Sequence, residues 1–310
     1  MTVRPTMEQF EGSGRFYPSF EELDQRYHLK MRAFVRLVMP PIFIALEKRF
    51  ALAQMRRRGI VPIMFDLIFE NSDVPLILNR PARVDHQVRL RRSLTPQPEG
   101  APLERLLMEM NAQIFGPRGA GDPAALGGDD EGGPEVQVGR LFGYQVFTRP
   151  VAPPGERQVT GTPEELAELK VHPFDAPFPA PEHLAQIPPG FSPAPPGPFP
   201  HLDTVWGLPN TDVNQHVNVQ EYVFGMENHF ARRLHGAGLP QARHRIARTE
   251  LLFRKPFFAG ELVRIQGPLL VNGARTLLIG GFHRLDAKGV PEARPSAAVR
   301  MEGVLDGPGA

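Results

Sequence analysis

The segment Asp212-Val213-Asn214-Gln215-His216-Val217-Asn218 concentrates the residue types that move protons and hold oxyanions. Asp212, Asn214 and His216 recur at every second position, so an extended backbone would set all three side chains on one face. An imidazole transfers protons near neutral pH. An amide N–H aimed at a developing oxyanion is worth about 3–4 kcal/mol, and the carboxylate can fix the imidazole tautomer or activate a water. Together the set suits acyl transfer. Taken singly, each residue has a plainer reading. Asp212 ends a turn-like Asn210-Thr211-Asp212, Asn218 and Glu221 are spaced as a helix-capping pair, and Tyr222 sits where a helix core would be.

A helix is expected straight after the motif, and its free N–H groups and positive dipole end would polarise a carbonyl. That helix has a counterpart. Ile42-Phe43-Ile44-Ala45-Leu46-Glu47-Lys48-Arg49-Phe50-Ala51 matches Tyr222-Val223-Phe224-Gly225-Met226-Glu227-Asn228-His229-Phe230-Ala231, and Gly59 and Gly238 follow the two runs. Downstream, strand-like 82–89 is set against 247–254, and 104–119 against 274–289. The offsets are 180, 165 and 170 residues, as loops of unequal length require. Each half then reads as a long helix followed by strands, and a curled antiparallel sheet around the helix would bury its apolar stripe. With the first offset, Asp212, Asn214 and His216 fall on Arg32, Phe34 and Arg36, so the first half is expected to have lost the chemistry.

Of the 35 prolines, 15 lie between Pro150 and Pro200. Proline removes donors and disfavours helix before it, so 150–200 is expected to be an irregular connection, with one short helix over 163–169. The expected division is 1–149, a linker over 150–200, and 201–310. Residues 116–133, rich in glycine and aspartate, are expected to form a mobile surface insertion. Lysine plus arginine number 35 against 34 acidic residues, which gives no support for nucleic-acid binding. The absence of cysteine excludes a disulfide framework, a thiolate metal site and a cysteine nucleophile. No apolar run reaches membrane-span length and the first fifteen residues lack a signal-peptide core, so a cytoplasmic protein is expected.

Asp212 to Asn218, Tyr222, Arg248-Thr249-Glu250-Leu251-Leu252-Phe253, Pro256 and Gly260-Glu261-Leu262-Val263 resemble the acyl thioesterases of the hotdog superfamily. The likeness is strongest to acyl-ACP thioesterases of the plant type, where D-x-N-x-H-V-N precedes the central helix. It covers roughly 205–305, and the first half matches only as a degenerate copy. The resemblance implies an α+β double hotdog, two tandem hotdog domains whose acyl tunnel forms where the halves meet. It also implies hydrolysis of a fatty or polyketide-like acyl thioester on coenzyme A or an acyl carrier protein, without cofactor or metal. Asp212, Asn214 and His216 are the catalytic candidates, and Asn218, Tyr222 and Glu250 the substrate-binding ones. Arg232 and Arg233, with Arg243 and Arg245 nearby, are candidates for coenzyme A phosphates or an acidic carrier. Asp85 and His86 are candidates for the interface between halves, and a homodimer of double hotdogs is the assembly such chains allow.

The sequence departs from that pattern at one place. The plant-type enzymes carry a glutamate followed by cysteine on the strand after the helix, whereas here Leu252-Phe253-Arg254-Lys255-Pro256 offers no carboxylate. That departure keeps two alternatives open: a hotdog dehydratase or other non-hydrolytic thioester enzyme, and a non-catalytic acyl-binding or scaffold protein. The dehydratase run H-x-x-x-G-x-x-x-x-P is absent, His201 being followed by glycine at the wrong distance.

Overall fold

The computed structural model describes residues 7–78, 80–96, 102–119, 134–176 and 178–305. Most of the expected insertion, 120–133, lies outside the described residues.

The first half opens with β1 (Phe10–Phe16), followed by α1 (Met31–Phe50) and a short α2 (Leu52–Arg57). β2 (Val61–Asn71), β3 (Ala82–Thr95), β4 (Leu103–Pro117) and β5 (Glu135–Thr148) complete it. Phe34, Val38, Ile42 and Leu46 recur at helical spacing on α1 and are buried against the sheet. Pro40 and Pro41 lie inside that helix and remove two of its hydrogen bonds. β1 crosses close beside them: a Cβ on Gly14 would fall 2.4 Å from the Pro41 side chain.

The second half begins with β8 (His201–Val205) and α4 (Val219–Gly236). β9 (His244–Phe253), β10 (Leu262–Gln266), β11 (Leu269–Asn272), β12 (Arg275–Arg284) and β13 (Ala297–Leu305) follow. Tyr222, Val223, Met226, Phe230 and Leu234 make the buried stripe of α4. α4 begins straight after the motif, as expected, whereas α1 begins at Met31, ahead of the matched run 42–51; Gly59 and Gly238 both take positive φ.

One large antiparallel sheet joins the halves, in the order β1-β3-β4-β5-β2-β9-β13-β12-β10-β8. β2 and β9 pair from Asp66↔Leu252 to Glu70↔Arg248, so the seam is a continuous hydrogen-bonded ladder. Strand order on either side of this seam runs in mirrored sequence, which pairs β2 with β9, β3 with β10 and β4 with β12. The expected match of 82–89 with 247–254 is therefore one strand out. Both segments are strands rich in alternating side chains, and that pattern cannot tell neighbouring strands apart.

The connection is less free than its prolines imply. β6 (Val171–Pro173) pairs parallel with β3, and β7 (Ser192–Pro193) pairs with β11. Between them lies a single-turn α3 (Pro181–Leu184). Phe174, Phe178 and Leu184 cover Phe65, Leu107 and Leu252 on the outer sheet face. The expected helix over 163–169 is only one 3-10 turn, Glu164–Leu166, whose Leu166 is buried.

Candidate active site

Asp212 to Asn218 form a tight turn rather than the expected extended segment. The Asp212 carboxylate accepts the Asn214 backbone N–H at 2.7 Å, and the Asp212 carbonyl accepts the Gln215 N–H at 2.9 Å. Gln215 takes φ 64°, and the Asp212 N–H closes the loop on the His216 carbonyl at 2.9 Å. An aspartate captures the N–H two residues on in just this way, which defeats the alternation that an extended chain would show. Even so, Asp212, Asn214 and His216 all line one cavity of about 510 Å³.

That cavity lies at the start of α4. Asn218 caps the helix, its Oδ1 accepting the Gln220 N–H at 2.9 Å. Glu221 does not reach back to complete the expected capping pair; its carboxylate takes the Asn210 amide at 2.8 Å. The Val219 N–H, at the first helical position, has no intrahelical acceptor, and Val219 lines the cavity. Opposite this polar rim stands an apolar wall from the other half: Met39 and Phe43 of α1 with Ile63, Met64 and Leu67 of β2.

Asp212 is engaged by Asn214 and not by His216; the Asn214 amide lies 3.5 Å from its second oxygen. The His216 ring packs edge-on against Phe258, centroids 5.2 Å apart, and stays partly exposed. Tyr222 is buried in the cavity wall, where its hydroxyl accepts the Phe257 N–H at 3.3 Å. Burial raises its hydroxyl pKa, so it stays neutral.

Other candidates fall elsewhere. Glu250 is on the outer sheet face, ion-paired with Arg248 at 3.1 Å, because only odd-numbered neighbours such as Leu251 and Phe253 point inward. Arg232 and Arg233 sit near the C-terminal end of α4, roughly 20 Å along the helix from the cavity. Arg233 is buried and donates to the Pro196 carbonyl, while Arg232 lies 4.8 Å over Phe199. Both are taken up in pinning the connection to the helix. Arg245 pairs with Asp73 at 3.3 Å. Asp85 is ion-paired with Arg83, and His86 is buried on β3, three strands away from the β2–β9 seam. Arg254, where the resemblance would place a glutamate, donates to the Pro295 and Arg294 carbonyls at 2.8 and 2.9 Å. Asp66 on β2 is buried but faces outward, where burial and then the nearby Glu250 raise its pKa to about 7.

The motif is duplicated in the first half, but not where a 180-residue offset puts it. Arg32, Phe34 and Arg36 lie within α1 itself. Matching the turns instead gives Asp24 for Asp212, Arg26 for Asn214, Tyr27 for Gln215 and His28 for His216, an offset of 188 residues. The hydrogen bonds repeat: the Asp24 carboxylate accepts the Arg26 N–H at 2.8 Å, and the Asp24 N–H reaches the His28 carbonyl at 2.8 Å. Tyr27 repeats the positive φ at 65°. What differs is the amides. Arg26 replaces Asn214, and Lys30 replaces the cap Asn218 with no side-chain cap of its own. The first turn of α1 is satisfied in trans instead, Glu227 accepting the Arg32 N–H at 3.4 Å. Chiefly through burial, Glu227's pKa rises to about 7. The shared D-x-x-x-H spacing, Asp24 to His28 and Asp212 to His216, is the sequence signal for this copy.

No family model matches the chain, and no curated protein is similar to it in sequence. Solved structures are. A Lactobacillus plantarum protein described as an oleoyl thioesterase aligns with TM-score 0.65 at 11% identity, covering 96% of this chain and 98% of that one. An acyl-ACP thioesterase from Bacteroides thetaiotaomicron gives 0.57 at 13%, over 96% and 98%. The 12:0-ACP thioesterase from Umbellularia californica gives 0.54 at 12%, over 98% and 100%. The chain shares the fold of these three structures. At these identities the likeness concerns the fold alone. Among the described residues, no helix is long and apolar enough to cross a membrane, and no group of three or more His, Cys, Asp or Glu could hold a metal.

Proposed function

We propose that this chain is a double-hotdog thioesterase that hydrolyses an acyl thioester carried by coenzyme A or an acyl carrier protein. The observation that carries this reading is the single cavity in which Asp212, Asn214, His216 and the open end of α4 face an apolar wall from the first half. A polar rim beside an apolar slot suits a thioester head with a fatty tail. Residues 1–149 and 201–310 are read as the two hotdog units and 150–200 as their connection, with the second unit supplying the chemistry and the first the tail's surroundings.

In this reading His216 takes a proton from water as the water oxygen attacks the thioester carbonyl carbon. The Asn214 amide and the Val219 N–H stabilise the oxyanion. Collapse breaks the C–S bond, the thiol leaves with the proton from His216, and a free acid remains. Asp212 holds Asn214 in place through the turn rather than orienting the imidazole. The missing glutamate is the reason to test hydrolysis directly. Incubating the protein with acyl-coenzyme A and acyl-carrier substrates should release thiol, and His216→Ala should lower kcat/KM by about 10²–10⁴. Loss of water from 3-hydroxyacyl substrates with no thiol release would replace this reading with a dehydratase, and binding without turnover would leave a carrier of acyl groups.

A further inference from the structure

We infer that the start of α1 is a second acyl pocket, a copy of the cavity at the start of α4, and that the chain closes it with its own Glu227. Only the name of the ligand rests on the first cavity being the acyl site.

The turns match at an offset of 188 residues, and the same offset carries one cavity onto the other. A cavity of about 310 Å³ lies at the start of α1. Asp24, Lys30 and Met31 line it as Asp212, Asn218 and Val219 line the first. The facing helix keeps the register too: Glu227, Asn228 and Ala231 of α4 take the places that Met39, Pro40 and Phe43 of α1 hold in the first. Arg245 and Ile246 of β9 back the copy, as Ile63 and Met64 of β2 back the original. Each cavity is therefore built from the turn and helix start of one half and the helix wall of the other.

The two differ in what faces the helix start. α1 has no acidic residue in its first turn and no side-chain cap, and Lys30 and Arg32 add two cations to its positive dipole end. A helix start of this kind attracts an anion. Glu227 supplies it from α4, its carboxylate accepting the Arg32 N–H at 3.4 Å, with the Arg32 and Lys30 charges favouring its ionised form. In the first cavity the matching residue is Met39, which brings no acceptor and leaves the start of α4 to a ligand. A fatty acid carries the same carboxylate as Glu227 on an apolar chain, so removing the side chain frees its place for one. The chain thus takes one acyl group through a single side chain, not through loss of the second pocket.

Calorimetric titration of the full-length protein with octanoate counts the sites. Glu227→Ala should bind one octanoate per chain more than wild type. Glu227→Gln, which still fills the space and accepts the N–H, should bind no more than wild type. Equal counts in Glu227→Ala and wild type overturn the inference, and so does a second site already open in wild type. Glu227→Met, which copies the wall of the first cavity, gives the same count if the alanine variant fails to fold. Propionate probes the same place through stability: at a saturating concentration it should raise the Tm of Glu227→Ala by about 2 °C or more above any rise in wild type. Equal rises in the two proteins count against Glu227 as the occupant. If wild type binds no octanoate and Glu227→Ala binds one, the inference stands and the acyl reading of the first cavity falls.

Discussion

Asp212 shows how a side chain's role changes once its backbone is known. In an extended strand it would share a face with His216; in the turn it holds the Asn214 N–H at 2.7 Å. If its part is to shape the turn, an amide can replace it, because Asn also accepts that N–H. Asp212→Asn should therefore keep kcat/KM within about 10-fold of wild type, while Asp212→Ala falls by about 100-fold or more. Comparable losses in the two variants would return the carboxylate's charge to the mechanism. Asp66 carries a pH prediction. Unfolded, it ionises near its usual 3.8; folded, it keeps its proton to about 7. Between those values the folded state binds more protons, so this group's contribution to stability falls as pH rises. Asp66→Asn should gain on wild type by roughly 2 kcal/mol between pH 5 and pH 8 in urea unfolding, and a pH-independent difference would count against the raised pKa.

At the scale of elements, the two helix starts share a turn but not a cap. Asn218 caps α4 from within, whereas α1 borrows Glu227 from the other half. Asn218→Ala should cost about 1 kcal/mol in thermal or chemical unfolding, as loss of a side-chain N-cap does elsewhere. If instead stability is untouched and turnover alone falls, Asn218 acts on substrate and not on the helix. The proline-rich connection belongs to this scale too. Its aromatic and leucine side chains close over the outer sheet face, so its lack of regular structure does not make it loose.

For the whole molecule, the β2–β9 ladder is the decisive feature, because it brings α1 of one half over the motif of the other. The first half should then govern which acyl chains fit. Met39 on α1 is 8% exposed and lines the cavity. Met39→Trp should reduce kcat/KM for long acyl chains by about 10-fold or more relative to short ones, because a few methylenes of lost room are worth that much. A uniform loss across chain lengths would separate α1 from the tail's path.

The motif, the two long helices, the proline-rich connection and the cap at Asn218 were all legible in the sequence, because each depends on neighbours within a few positions. Local hydrogen bonding also made the second copy at Asp24 and His28 readable, though helix-body similarity pointed eight residues away from it. Three things belonged to the tertiary structure alone. Glu250 turns outward because strand register sets which alternate residues face the core. Arg232 and Arg233 are spent on the connection because the chain returns to that helix end. Gln145 joins the cavity because β5 lies beside β2 in space while 74 positions separate it from Asn71. Such long-range pairing is fixed by packing and register over the whole sheet, and no local spacing encodes it.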